Sequence, residues 1–226
     1  MVASADDISE RIVQAVLTRR LLPAERLGEA PLAELFGCSR TIVREALIRL
    51  AARGIVAVQA RRGWFVAAPD ARAVAAAFEA RLILETGILG RVPPPGPAPL
   101  RRLAAHLRAQ RAALAQDDPG QRSLLLGDFH VVLARELGMP LLADMLRDLT
   151  IRTSLAALRH QPLAAAARSV AEHEGIVAAL RLGDMPAAQA AMAAHLGSWE
   201  AKLPLPDAAD PPDRLRRALD PTAPAS

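Results

Sequence analysis

Along most of the chain, apolar residues recur every three or four positions, the period of a helix that buries one face. Ile8, Ile12, Val16 and Leu17 predict a first amphipathic helix. Pro23 marks a turn, and Leu32, Leu35 and Phe36 set out one face of a second, short helix. Gly37 breaks that pattern, as a residue just past a helix end does. Ser39 is a good N-cap, and Val43, Ala46, Leu47 and Leu50 follow at i, i+3, i+4, i+7, which starts a third helix at once. The period then shortens. Ile55-Val56-Ala57-Val58 and Trp64-Phe65-Val66 read as strands around the tip Gln59-Ala60-Arg61-Arg62-Gly63. Three helices followed by a hairpin predict a winged helix-turn-helix domain over residues 1–69.

After Pro69-Asp70 the helical period returns and stays. Breaks at residues 92–99, 117–120, 138–140, 160–162 and 183–186 divide the rest into segments 71–91, 99–116, 121–137, 140–159, 164–182 and 185–202. These lengths suit an all-α antiparallel bundle over residues 70–203. The fold class expected is therefore mainly α. Residues 204–226 are proline-rich and charged, which predicts a largely disordered tail with one short helix at 212–219.

Charge changes the picture locally. Net charge is only +4, yet residues 39–62 carry Arg40, Arg44, Arg49, Arg53, Arg61 and Arg62 against the single acid Glu45. That is an electrostatic footprint for nucleic acid. Arg40 and Arg44 lie on one stripe near the start of the third helix, the end that enters the major groove in a helix-turn-helix. A guanidinium fork can pair with guanine O6 and N7 or clamp phosphate. Arg61 or Arg62 at the hairpin tip could lie along the backbone or in the minor groove, and Gly63 would allow the turn and a close approach.

Residues 8–68 resemble the winged-helix domain of the GntR family of bacterial transcription regulators. The matching pieces are LLPAERLGE, LAELFGCSRTIVREAL, RLAARGIV and RRGWFV, in family order. The resemblance implies DNA contacts from Arg40, Arg44 and Arg49, a phosphate contact from Thr41, and wing contacts from Arg62 and Gly63. Two positions depart from the family pattern. Ile42 stands where proline is frequent, and Ala30 where a polar N-cap is usual before Pro31.

In the bundle the histidines invite explanation. His130, His173 and His195 sit in three separate patterned helices, and imidazoles so placed either converge on a divalent metal or serve singly as buried polar groups. Residues 71–202 resemble the FCD domain, the helical effector domain of FadR-like GntR regulators. The resemblance rests on EARLILE, DFHVVLARELGMPLL, IRTSL, EHEGIVAALRLGD and AAMAAHL. It implies a metal, zinc or nickel, held by His130, His173 and His195 at the base of an effector cavity. The aspartate that usually supplies a fourth ligand is replaced by Leu126, and Asp128 lies about 200° round the helix from His130. The same resemblance places Arg81 and Arg152 near a small carboxylate effector, with a pair between Arg81 and Glu85 or Glu79 as the plainer alternative.

The remaining composition narrows the classes. One cysteine, Cys38, excludes an internal disulfide, no apolar run reaches the ~18 residues of a membrane span, and the polar start is no secretory signal. The expectation is a cytoplasmic homodimer on a palindromic double-stranded operator, a repressor tuned by an organic acid. A regulator with the ion itself as effector is the alternative. A metal-dependent enzyme fused to a DNA-binding module would need a positioned acid or base that the sequence does not supply.

Overall fold

The computed structural model describes residues 3–116, 118–160 (side chains to residue 156) and 163–199. The tail predicted beyond residue 203 lies outside them. The chain opens with α1 (Ala5–Leu17), β1 (Arg26–Leu27), α2 (Glu29–Phe36), α3 (Arg40–Ala52), β2 (Val56–Gln59) and β3 (Gly63–Val66). Ser4 and Asp7 cap α1 reciprocally, each side chain accepting from the other's backbone N–H. Gly37 ends α2 at φ 60°, a left-handed conformation that glycine adopts without Cβ strain. Ser39 then caps α3 by accepting from the Ile42 N–H at 3.4 Å, a donor that the more frequent proline would lack. The α2 start is reached without a polar cap: Gly28 is the N-cap and makes no side-chain bond.

The sheet runs β1-β3-β2, all antiparallel, with Val58 opposite Trp64 and Leu27 opposite Trp64 on the other side. The β1 strand has two residues, too few for an alternating pattern to announce it. Val43, Ala46, Leu47 and Leu50 are fully buried, as their spacing required. Leu35 is not: it is 76% exposed, and Ala33 takes the inward position on α2.

Six further helices follow: α4 (Ala71–Leu89), α5 (Pro97–Ala115), α6 (Pro119–Glu136), α7 (Pro140–His160), α8 (Leu163–Arg181) and α9 (Met185–Gly197). Aspartates cap α4, α6 and α9, and proline occupies the first turn of α5, α6 and α9, where its missing N–H costs nothing. Neighbouring pairs are α4 with α7 and α9, α5 with α6 and α8, α6 with α7, and α8 with α9. Phe129, Leu89, Leu103, Leu146, Ile176 and Leu180 fill the centre of this bundle.

The two halves share material. Ile151 and Leu155 of α7 belong to the core formed by α1, α3 and β2, not to that of their own bundle. Burying an aliphatic side chain of this size contributes about 1.5–3 kcal/mol. Beside them the Asp148 carboxylate receives Arg53 from the end of α3, at 2.9 Å from Nε and 2.8 Å from Nη2. Arg152 Nε donates to the Arg53 carbonyl at 2.9 Å. Gly120 of α6 abuts the Thr18 carbonyl so closely that a Cβ there would fall 2.2 Å from the oxygen.

Candidate DNA interface and histidine centre

The exposed side of α3 carries Arg40, Thr41, Arg44 and Arg49. Arg40 and Arg44 lie on one flank of the helix, whereas Arg49 is about 140° round from Arg44. Arg49 reaches back to Asp6 of α1 and pairs with Glu45 at 2.5 Å, which ties α3 to α1. Arg44 is gripped along one edge: its Nε donates to Glu29 Oε1 at 2.9 Å and its Nη2 to Oε2 at 2.7 Å. Trp64 Nε1 donates to the same Oε1 at 3.0 Å. The Arg44 and Trp64 donors, in that order, hold the Glu29 carboxyl down at about 2. At the wing, Arg61 and Gly63 take positive φ (62° and 94°) to turn the hairpin, and the Arg62 guanidinium sits 5.4 Å from the Phe65 ring centre. A Cβ at Gly63 would meet no heavy atom within 4 Å, so what favours glycine there is its positive φ.

In the bundle, α6, α8 and α9 bring His130, His173 and His195 together, all buried. One ligand nitrogen from each lies within 4.8 Å of the others. The His195 Nε2 is 3.2 Å from His173 Nε2 and 3.4 Å from His130 Nε2. Each ring is fixed from behind through Nδ1. His130 faces Glu85 Oε2 at 2.5 Å, His173 faces Gln110 Oε1 at 2.9 Å, and His195 faces Glu172 Oε2 at 2.5 Å. Carboxylate and amide oxygens only accept, so these contacts put the ring protons on Nδ1 and turn the Nε2 lone pairs toward one spot. This is the arrangement by which metal-ligating imidazoles are oriented. Zinc–nitrogen bonds of about 2.0–2.1 Å at tetrahedral angles separate neighbouring nitrogens by roughly 3.4 Å. The donor set therefore fits a divalent ion, and three lone pairs facing each other repel unless a cation lies among them.

Electrostatics agree. Burial, and next the charge of Arg81, push His130 down to about 3, so it is neutral at pH 7 and fit to ligate. Burial alone would raise Glu85, but His130 and Arg81 beside it more than offset that and hold it at about 2. Leu126 occupies the place of the expected fourth ligand and packs with Ala166, Val170 and Leu114, while Asp128 is exposed on another face of α6.

The two arginines expected at an effector part company here. Arg81 is buried, with Nε on Glu85 Oε1 and Nη1 on Thr153 Oγ1, both at 2.9 Å. Among the described residues its Nη2 is buried without a hydrogen-bond partner, as is Thr150 Oγ1 on α7. Arg152 is turned to the opposite side, onto Arg53 and Gly54 of the N-terminal half. One residue's step from Thr153 rotates the side chain about 100° round α7, enough to move it between domains. Sequence reasoning also passed over Gln110, Glu172 and Glu29 as functional supports. Gln110 did leave a signal: a polar residue in the buried stripe Leu103–Leu107–Gln110. Glu172 left none, since it neighbours His173 in sequence and serves His195 on another helix.

Comparison with known proteins accords with both halves. The family of bacterial regulatory proteins named gntR matches residues 4–66, and the FCD domain matches residues 76–198. An uncharacterized HTH-type transcriptional regulator from an unstable DNA locus of Streptomyces ambofaciens is 33% identical over 209 residues, 84% of this chain and 80% of that protein. The HTH-type transcriptional regulator Mce2R of Mycobacterium tuberculosis is 49% identical over 55 residues, 24% of this chain and 23% of its own length. Among solved structures, E. coli McbR/YncC superposes with a TM-score of 0.74 at 22% identity, covering 90% of this chain and 98% of that one. A GntR regulator from Rhodococcus sp. RHA1 gives 0.78 at 22%, covering 88% and 96%. Likeness at that identity speaks for the fold. The families and relatives are transcriptional regulators, not enzymes, which speaks against the reading as a metal-dependent enzyme fused to a DNA-binding module. With both domains matched in order and a relative along four-fifths of its length, the chain belongs to the GntR family of bacterial regulatory proteins, in the FadR-like branch whose second domain is FCD.

Proposed function

We propose that this regulator is a homodimeric repressor whose grip on a palindromic operator is released by a small carboxylate bound in the FCD domain beside a metal ion. A DNA partner supports a cytoplasmic location. Among the described residues no helix is long and apolar enough to cross a membrane. In this reading α3 enters the major groove with Arg40, Thr41 and Arg44, and the wing follows the backbone with Arg62 and Gly63. Arg49, held by Asp6 and Glu45, would have to exchange those partners for phosphate.

The observation that carries the effector side is the trio His130, His173 and His195, each oriented through Nδ1 by its own acceptor. These residues would hold zinc or nickel. A bound ion would supply a Lewis-acidic position for a carboxylate oxygen, taking the place of the ligand that Leu126 cannot provide. Arg81 supports an anion nearby, since its Nη2 still has a donor to give. Arg152, committed to Arg53, is no part of that subsite.

A physical chain of contacts joins the site to the DNA-binding half. His130 is bonded to Glu85, Glu85 to Arg81, Arg81 to Thr153 on α7, and α7 carries Asp148 and Arg152 onto the end of α3. Because Glu85 touches both the metal ligand and Arg81, the ion alone could shift this chain, which favours metal-responsive regulation as a second reading. Titrating a fluorescent operator with chelated protein, then adding zinc or nickel, then a panel of small carboxylates, separates the two. The expected result is one ion per chain, with weakened DNA binding only when a carboxylate joins it. Weakening by metal alone would favour the ion as effector. No metal uptake by the wild type, judged by native mass spectrometry, would sink both.

A further inference from the structure

The Glu29 carboxylate stands where a DNA-binding surface would least be expected to place a negative charge. It begins α2, it is engaged on both oxygens by Arg44, and Trp64 of β3 fixes it a third time. Three separate elements, α2, α3 and the wing strand, thus meet at one carboxylate. Arg44 remains 59% exposed at its side chain, and Glu29 22%.

We propose that Glu29 is the positioning residue that makes Arg44 a reader of sequence rather than a general phosphate contact; this rests on α3 being the recognition helix. Guanine can be gripped through either edge of a guanidinium fork, side-on through Nε and one Nη or end-on through the two Nη groups. Glu29 occupies the side-on edge with two parallel bonds. Only the end-on edge faces outward, and the long side chain is fixed before DNA arrives, so less conformational freedom is lost on binding. The carboxylate also cancels the Arg44 charge toward phosphates, which lowers affinity for arbitrary sequence. Both effects raise the ratio of specific to non-specific binding. Trp64 prevents Glu29 from following Arg44 onto the DNA, and its own place is set by pairing with Val58 and Leu27.

The test uses full-length protein and duplexes selected from a random-sequence pool. Wild type, Glu29→Gln, Arg44→Ala and Trp64→Phe are each put through selection. Each is then titrated on the wild-type motif and on mixed-sequence duplex at several salt concentrations. Glu29→Gln keeps the size of the side chain but turns an amide toward the arginine. It is expected to lose roughly tenfold discrimination at the one base pair per half-site that Arg44→Ala erases. Its binding to mixed sequence should hold or tighten, with the salt slope steeper by about 0.9 because the freed arginine neutralises one more phosphate. Trp64→Phe should blur the same base pair to a smaller degree. An unchanged motif in Glu29→Gln overturns the proposal, and so does a parallel fall in specific and mixed-sequence binding, which would mark a merely structural role. An unchanged motif in Arg44→Ala would instead remove Arg44 from the base contacts, and the proposal with it.

Discussion

Glu85 shows how much can turn on one carboxylate. It sits between the His130 ring and the Arg81 guanidinium, in a place with almost no water. Neutral His130 is the state the fold prefers, since its folded pKa is about 3 against an ordinary 6.5. An unfolded chain takes up that proton near pH 6.5, the native one only near 3, so between those values the unfolded state binds more protons. Stability from this residue is therefore complete above about pH 6.5 and is lost as pH falls toward 3. Glu85, lowered to about 2 from 4.5, adds a loss of the same sign further down. Urea midpoints of chelated protein at pH 7.5 and 5.5 should differ more in wild type than in His130→Gln. Equal differences would mean that His130 titrates normally. The histidines themselves were legible in the sequence, because three imidazoles in separate apolar patterns are few enough to notice. Their supports were not, because Glu85, Gln110 and Glu172 come from other helices or other turns, and spacing along one helix says nothing about reach across to another.

Helices long enough to repeat their pattern were readable almost to the residue. The segment predicted as 71–91 became α4 at Ala71–Leu89, and 140–159 became α7 at Pro140–His160. Short elements were not. In the eight-residue α2 a single turn decides the buried face, and Leu35 went outward where its hydrophobicity argued inward. Burial at element junctions was equally silent. Nothing in PGQRSLLL says that Gly120 must lie against the end of α1, yet a methyl group there would strike the Thr18 carbonyl. Backbone cannot swing aside as a side chain can, so Gly120→Ala should lower stability by about 1–3 kcal/mol through overpacking. Thermal or chemical unfolding would measure it. A change within a few tenths would show that α6 shifts freely along α1.

At the scale of the molecule, a change of period in the sequence predicts a boundary at Pro69-Asp70, but nothing in the pattern announces the core shared between the two halves. Periodicity reports that Ile151 and Leu155 are buried and is blind to what buries them. Arg152 illustrates the same limit: the resemblance sets it beside the effector, while the helix that carries it has a second face against α3, where its Nε donates to the Arg53 carbonyl. If α7 transmits the state of the histidine centre, the Asp148–Arg53 pair is where the signal crosses. Asp148→Asn should leave operator affinity of the ligand-free protein near wild type while shrinking the ratio of affinities with and without ligand. Such ratios are typically about 5–150-fold, and a drop to a few-fold is expected. Operator titrations in the two conditions would show it, and an undiminished ratio would place the crossing elsewhere.

The seating of Ile151 and Leu155 among α1, α3 and β2 also bears on how such regulators can be recombined. Residues 4–66 look like a cassette that could be moved to a new sensor, since the gntR match begins and ends within them. Their interior does not. Transplanted alone, they would arrive with a socket missing two large aliphatic plugs, and with the Arg53 carbonyl and Gly54 stripped of the guanidinium that lies against them. A working chimera would need to carry the Asp148–Leu155 face of α7 with it, or rebuild that face on the recipient. Lineages that exchange sensors would leave their trace there, as paired changes in α7 and at the end of α3.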